Sequence, residues 1–141
     1  MKRNENLVPL SRDHHFGLLC SWKIREGVRK NITYDRIKKY INYFWQESLS
    51  KHFEIEDTVL PEPENESLQF QMQKEHSEIR KLINTVNQSQ NPRLLEDFAD
   101  ALSGHIRFEE RILFNEIEQL VTSEIMESIN QIHNNETISD D

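Results

Sequence analysis

The chain predicts an all-α fold, an up-down-up-down antiparallel four-helix bundle with a short C-terminal fifth helix. Three observations carry this. Among 141 residues only 3 are Gly and 4 are Pro, while Leu, Ile, Glu, Lys and Gln abound, a composition that favours helix. Apolar residues recur at steps of three and four along four long stretches. The breaks between those stretches are short and carry Asn or Pro. A chain of this length is one domain with room for a real core.

Residues 1–10 read as a tail, 11–121 as the bundle, and 122–141 as a short helix and acidic tail. Ser11 is placed to cap a first helix over 12–30, whose apolar residues are Leu18, Leu19, Trp22 and Val28. After a break at Lys30–Ile32, Thr33 is placed to cap a second helix reaching Leu60, with a seam of Ile41, Trp45, Ser48, His52, Ile55 and Val59. Pro61 and Pro63 end it. Asn65 or Ser67 starts a third helix, with Gln69, Met72, His76, Ile79, Ile83 and Val86 along one side. Asn91 followed by Pro92 is a cap with proline at the first helical position. The fourth helix then runs to Val121 with Phe98, Leu102, His105, Glu109, Ile112 and Glu116 in line. Ile125, Ile129 and Ile132 mark a fifth helix over 124–133, and the last residues are too polar to order themselves.

Two 17-residue segments repeat one another, 48–64 (SLSKHFEIEDTVLPEPE) and 101–117 (ALSGHIRFEERILFNEI). Their shared centre is His-x-x-x-Glu: His52 with Glu56, and His105 with Glu109. Residues four apart lie on one helical face, here the apolar one. A buried carboxylate without a partner costs several kcal/mol, so two such costs beside two histidines point to a shared metal cluster. His76 supplies the third helix. The first helix offers His14 and His15, of which His15 sits among Leu18, Leu19 and Trp22 and is preferred. Glu110 competes with Glu109 but falls off the seam.

Alternating helix direction tests this register. Two turns from the histidine layer, seven residues along, lie Trp22, Trp45, Ile83 and Phe98; one turn the other way lie Ser11, Glu56, Met72 and Glu109. Four imidazoles flanked by two carboxylates suit iron or manganese. A lone core histidine is ordinarily a hydrogen-bonded core residue, which describes His133. A layer of four does not fit that description.

The net charge of −8 opposes general nucleic-acid binding and anionic membranes. No apolar run reaches the ~20 residues of a spanning helix. The start MKRNENLVPL has no apolar signal core, and a single Cys20 allows neither an internal disulfide nor a cysteine-based cluster. A cytoplasmic location is expected.

Asp13-His14-His15 with Leu18, His52-Phe53-Glu54-Ile55-Glu56, Glu75-His76 and His105-Ile106-Arg107-Phe108-Glu109-Glu110 occur in order over residues 10–121. In this the chain resembles the hemerythrin-like HHE cation-binding family. The resemblance implies a non-haem centre of two iron ions in a four-helix bundle. By it, His15, His52, His76 and His105 are terminal ligands, and Glu56 and Glu109 bridge. Met72 stands where oxygen-carrying members place a fifth histidine. The expected partner is a small diatomic gas (dioxygen or nitric oxide) or peroxide, bound or sensed at an open centre. A di-iron redox or nitric-oxide-stress enzyme and a metal-dependent interaction module are the alternatives. The Glu-x-x-His pairs of ferritin-like centres are missing from these faces.

Overall fold

The first helix starts before its expected cap. Helix α1 spans Val8–Arg29, with Leu7 at the N-cap and Pro9 in the first turn, where its missing N–H costs nothing. Leu7 and Leu10, placed in a tail by the sequence, are fully buried, and their burial draws the helix back past Ser11. The structure, a computed structural model, describes residues 7–58 and 65–120 together with Ile132. Residues 1–6, the end of the second helix with Val59, Leu60, Pro61 and Pro63, and most of the expected fifth helix and tail lie outside the described residues.

The described residues are all helical, arranged as four rods with no strand among them. The first rod is α1. Asn31, at φ 59°, turns the chain in the left-handed region that asparagine tolerates. The second rod joins α2 (Tyr34–Phe44), a π-helical turn (Trp45–Leu49) and α3 (Ser50–Thr58). Thr33 is its N-cap but makes no side-chain cap bond; its carbonyl accepts the Ile37 N–H at 3.2 Å. The third rod is α4 (Glu66–Asn87), and its cap is Asn65, whose side chain accepts the Ser67 N–H at 3.0 Å. The fourth joins α5 (Pro92–Phe108), a second π turn (Glu109–Leu113) and α6 (Phe114–Leu120). Asn91 caps it, accepting the Arg93 N–H at 3.1 Å.

Two apolar clusters close the ends of the bundle. One holds Ile24, Ile41, Ile79, Ile83, Phe98 and Leu102. The other holds Leu7, Leu10, Ile55, Met72, Leu113 and Ile117, with Ile132 packed against it. The buried histidines and glutamates lie between them.

Two expected faces are corrected. On α1 the buried residues are Leu10, His14, Gly17, Cys20, Ser21 and Ile24. Leu18, Leu19 and Trp22 are exposed, Trp22 by 57%, so Ser21 rather than Trp22 belongs to the inner layer. The cause is close packing of α1 on α5: a Cβ on Gly17 would lie 2.6 Å from Ile106 Cδ1. Small residues win that face, and the large apolar ones turn outward. In the fourth rod, the π turn adds one residue to the repeat. Past Glu109 the buried positions are therefore Leu113, Phe114 and Ile117, while Ile112 is 50% exposed.

Candidate metal centre

Each rod delivers one histidine to the layer between the clusters: His14 from α1, His52 from α3, His76 from α4 and His105 from α5. All four are buried, as are Glu56 and Glu109. His15, the residue preferred from sequence, is exposed on α1 and stands edge-on to Phe16. His14 takes its place because the buried face of α1 runs through Leu10, His14 and Gly17. The other five expected residues meet in one site.

Their donor atoms fall into two groups that share both carboxylates. His14, His52, Glu56 and Glu109 form one, and Glu56, His76, His105 and Glu109 the other, each with donors within 4.8 Å of one another. His14 Nε2 lies 2.7 Å from Glu109 Oε1 and 3.0 Å from His52 Nε2. His76 Nε2 lies 3.1 Å from Glu56 Oε1. Two imidazole nitrogens facing each other fit poorly as a hydrogen bond. They fit well as neighbours around one ion, since metal–nitrogen distances of about 2.0–2.1 Å place adjacent donors about 3.0 Å apart.

Unpartnered atoms support this fit. Glu56 Oε2, Glu109 Oε2 and His105 Nε2 are buried without a hydrogen bond. Glu56 Oε2 is 3.1 Å from His52 Nε2 and Glu109 Oε2 is 3.2 Å from His105 Nε2, close enough for attraction but at the wrong angles. Orphaned buried polar atoms are rare and call for a ligand. Here they converge on the points that cations would fill.

In the metal-free chain the histidines carry the compensating charge. Burial opposes protonation of His14, yet bonds to Glu109, Glu110 and Glu56 raise its pKa to about 10. Burial likewise opposes His76, and Asp57, Glu109 and Glu56 lift it to about 11. His52 and His105 shift upward against their burial for the same reason. Glu109 is held well below the usual carboxylate range: burial would raise it, but His105, His14 and His52 outweigh that. Glu56 is also lowered, against burial and the repulsion of Glu109, by His52 and His14. Protons thus occupy the site as stand-ins for metal, and cations entering it must displace them.

Aromatic rings fix the imidazole planes. Phe53 stacks on His76 with centroids 3.9 Å apart, and Phe114 lies against His14 at 5.2 Å. A cavity of about 10 Å³ touches His14, His52 and His105 and is walled by Gly17, Phe44, Ser48 and Leu102. That is room for about one water or a molecule of that size.

The Nδ1 atoms face outward, each to a carboxylate that the sequence reading did not assign as an imidazole partner: Asp13, Asp57, Glu75 and Glu110. Their signal was adjacency. Asp13 and Glu75 directly precede a site histidine, and Asp57 and Glu110 directly follow a site glutamate. The same pairing would have separated His14 from His15, because Glu75-His76 aligns with Asp13-His14.

No curated protein and no solved structure matches the chain significantly. Residues 13–117 match the family model described as the hemerythrin HHE cation-binding domain, a span that includes every residue of the site. With three-quarters of its length inside that match and its His and Glu side chains gathered in two groups that could each hold a cation, the chain belongs to the hemerythrin HHE cation-binding family.

Proposed function

We propose that the chain holds two iron ions and binds or senses a small molecule of the dioxygen, nitric oxide or peroxide class. In this reading His14, His52, His76 and His105 are terminal ligands, and Glu56 and Glu109 are shared. The observation that carries it is the pair of donor groups with common carboxylates beside a cavity with room for about one water-sized molecule. Imidazole and carboxylate together suit iron. Bound iron would supply electrons and vacant coordination positions. The chain supplies the rest. Two histidines per ion leave positions open, and buried Met72, a poor ligand for a hard cation, does not fill them. The two apolar clusters keep bulk water from the layer.

The same reading takes the bundle as up-down-up-down. The second cluster supports it, since the start of the first rod (Leu7, Leu10) meets the end of the second (Ile55), the start of the third (Met72) and the end of the fourth (Leu113, Ile117).

The test is metal content of anaerobically purified protein, followed by optical spectra on adding dioxygen and then nitric oxide. Two irons per chain and new charge-transfer bands with either gas are expected. A well-folded chain without iron overturns the reading, as does an iron-loaded chain inert to both gases.

A further inference from the structure

Every site histidine donates its outer Nδ1–H to a carboxylate on the preceding rod. Asp13 of the first rod accepts from His52 of the second at 2.9 Å. Asp57 of the second accepts from His76 of the third at 2.9 Å. Glu75 of the third accepts from His105 of the fourth at 2.7 Å. Glu110 of the fourth accepts from His14 of the first at 2.8 Å, closing the ring. An ionised carboxylate only accepts, so each imidazole keeps its proton on Nδ1 and, once a cation displaces the inner proton, offers the Nε2 lone pair inward. All four acids are sheltered, with side-chain exposures of 23–27%. Orienting four rings needs only four acceptors of any kind; backbone carbonyls or amides would serve. Four carboxylates also add negative charge. Together with Glu56 and Glu109 they surround two cation positions with enough charge to match two trivalent ions.

Resting on the two-iron reading above, we propose that this ring sets the redox poise of the centre. It passes negative charge through the imidazoles to the metals, stabilises the ferric over the ferrous pair, and so holds the reduction potential low. Asp13, Asp57, Glu75 and Glu110 are positioning residues that act through the histidines. One built-in brake identifies the mechanism as electrostatic. Arg80 Nη2 sits 3.3 Å from Asp57 Oδ2, with its guanidinium over the rings of Trp45 and Phe53. It offsets part of the charge that reaches His76. Glu75, by contrast, is held by the neutral amide of Gln71 at 3.0 Å.

The experiment is a spectroelectrochemical titration of the iron-loaded full chain, with iron counted in every sample. Asp13→Asn, Glu75→Gln and Glu110→Gln keep an acceptor oxygen and remove the charge. Each is expected to lower the ferric-to-ferrous ratio at fixed potential about tenfold, a rise of about 59 mV for a one-electron couple. Arg80→Gln, on the surface and outside the ring, is expected to move the potential the other way. A purely structural role would not produce shifts of opposite sign. Two irons per chain with potentials unchanged across the amide variants overturns the inference alone, as does an upward shift in Arg80→Gln. A wild-type chain that takes up no iron overturns the two-iron reading and the inference with it. Should the amide variants lose iron, the direction of the Arg80→Gln shift decides.

Discussion

His14 and His15 are neighbours in sequence, but their replacement by alanine is expected to have opposite consequences. The His14 imidazole bonds Glu109 Oε1 at 2.7 Å and Glu110 Oε1 at 2.8 Å in a buried setting. Removing it takes the counter-charge from two acids. Breaking a buried pair in this way costs about 3–5 kcal/mol. Proton linkage gives a similar figure. A histidine raised from 6.5 to about 10 contributes about 4 kcal/mol at pH 7, at about 1.4 kcal/mol per pKa unit. His15 is exposed, and surface substitutions stay within about 0.5 kcal/mol. Urea unfolding of the chelated proteins should therefore show a loss of about 4 kcal/mol for His14→Ala and almost none for His15→Ala. Metal analysis of the loaded proteins should show at most one ion per chain in His14→Ala and two in His15→Ala. The reverse pattern, with His15→Ala losing metal and His14→Ala keeping two ions, would refute the placement of α1.

Glu56 and Glu109 belong to both donor groups, so Glu56→Ala or Glu109→Ala should each empty both positions. A variant that keeps two ions would show the carboxylates are not shared. For chelated protein the pH dependence follows from the direction of the shifts. The raised histidines stabilise fully below their ordinary value of 6.5 and lose that contribution as pH rises toward about 10 for His14. The lowered glutamates stabilise above their ordinary 4.5 and lose it as pH falls below. Stability should therefore peak between about pH 4.5 and 6.5 and fall toward pH 10, while metal affinity rises over the same range because protons no longer compete. Denaturation midpoints at pH 6, 8 and 10 check this, and greater apo stability at pH 10 than at pH 6 would contradict it. Gly17→Ala places a Cβ 2.6 Å from Ile106 Cδ1 at the wall of the cavity. Iron content should stay at two while gas-adduct formation slows, on the order of tenfold, in stopped-flow traces; unchanged rates would separate the cavity from gas binding.

Much of the bundle was legible because the apolar seam residues of the third rod, and of the fourth as far as Glu109, are buried. Met72, Ile79, Ile83 and Val86 are buried as their spacing requires, and the asparagine caps at 65 and 91 bond as their positions predict. The repeated segments located His52, Glu56, His105 and Glu109 for a related reason. An internal match resists the accidents of a single helix face. The first rod reads wrongly because hydropathy measures size as well as burial. Where two helix backbones approach closely, Gly17, Cys20 and Ser21 go inside, and the periodicity of Leu18, Leu19 and Trp22 marks the outer face. The π turns leave no hydropathy signal. They shift the seam by one residue, and the reading past Glu109 therefore selected Ile112 instead of Leu113. Asp13, Asp57 and Glu75 gave no sign of their role as acceptors, and Glu110 entered only as a rival to Glu109, because a half-buried carboxylate and a solvated one have the same letter.

The distribution of ligands along the chain divides the site in two. His14, His52 and Glu56 all precede residue 60, and His76, His105 and Glu109 all follow it. Each half, a hairpin of two rods, therefore brings the two histidines of one cation position and one of the two shared carboxylates. In the proposed two-ion reading neither half is complete, and each lends its acid to the other's ion. Two separately made fragments, divided between residues 58 and 65, are accordingly expected to assemble one-to-one, and more tightly with metal than without it.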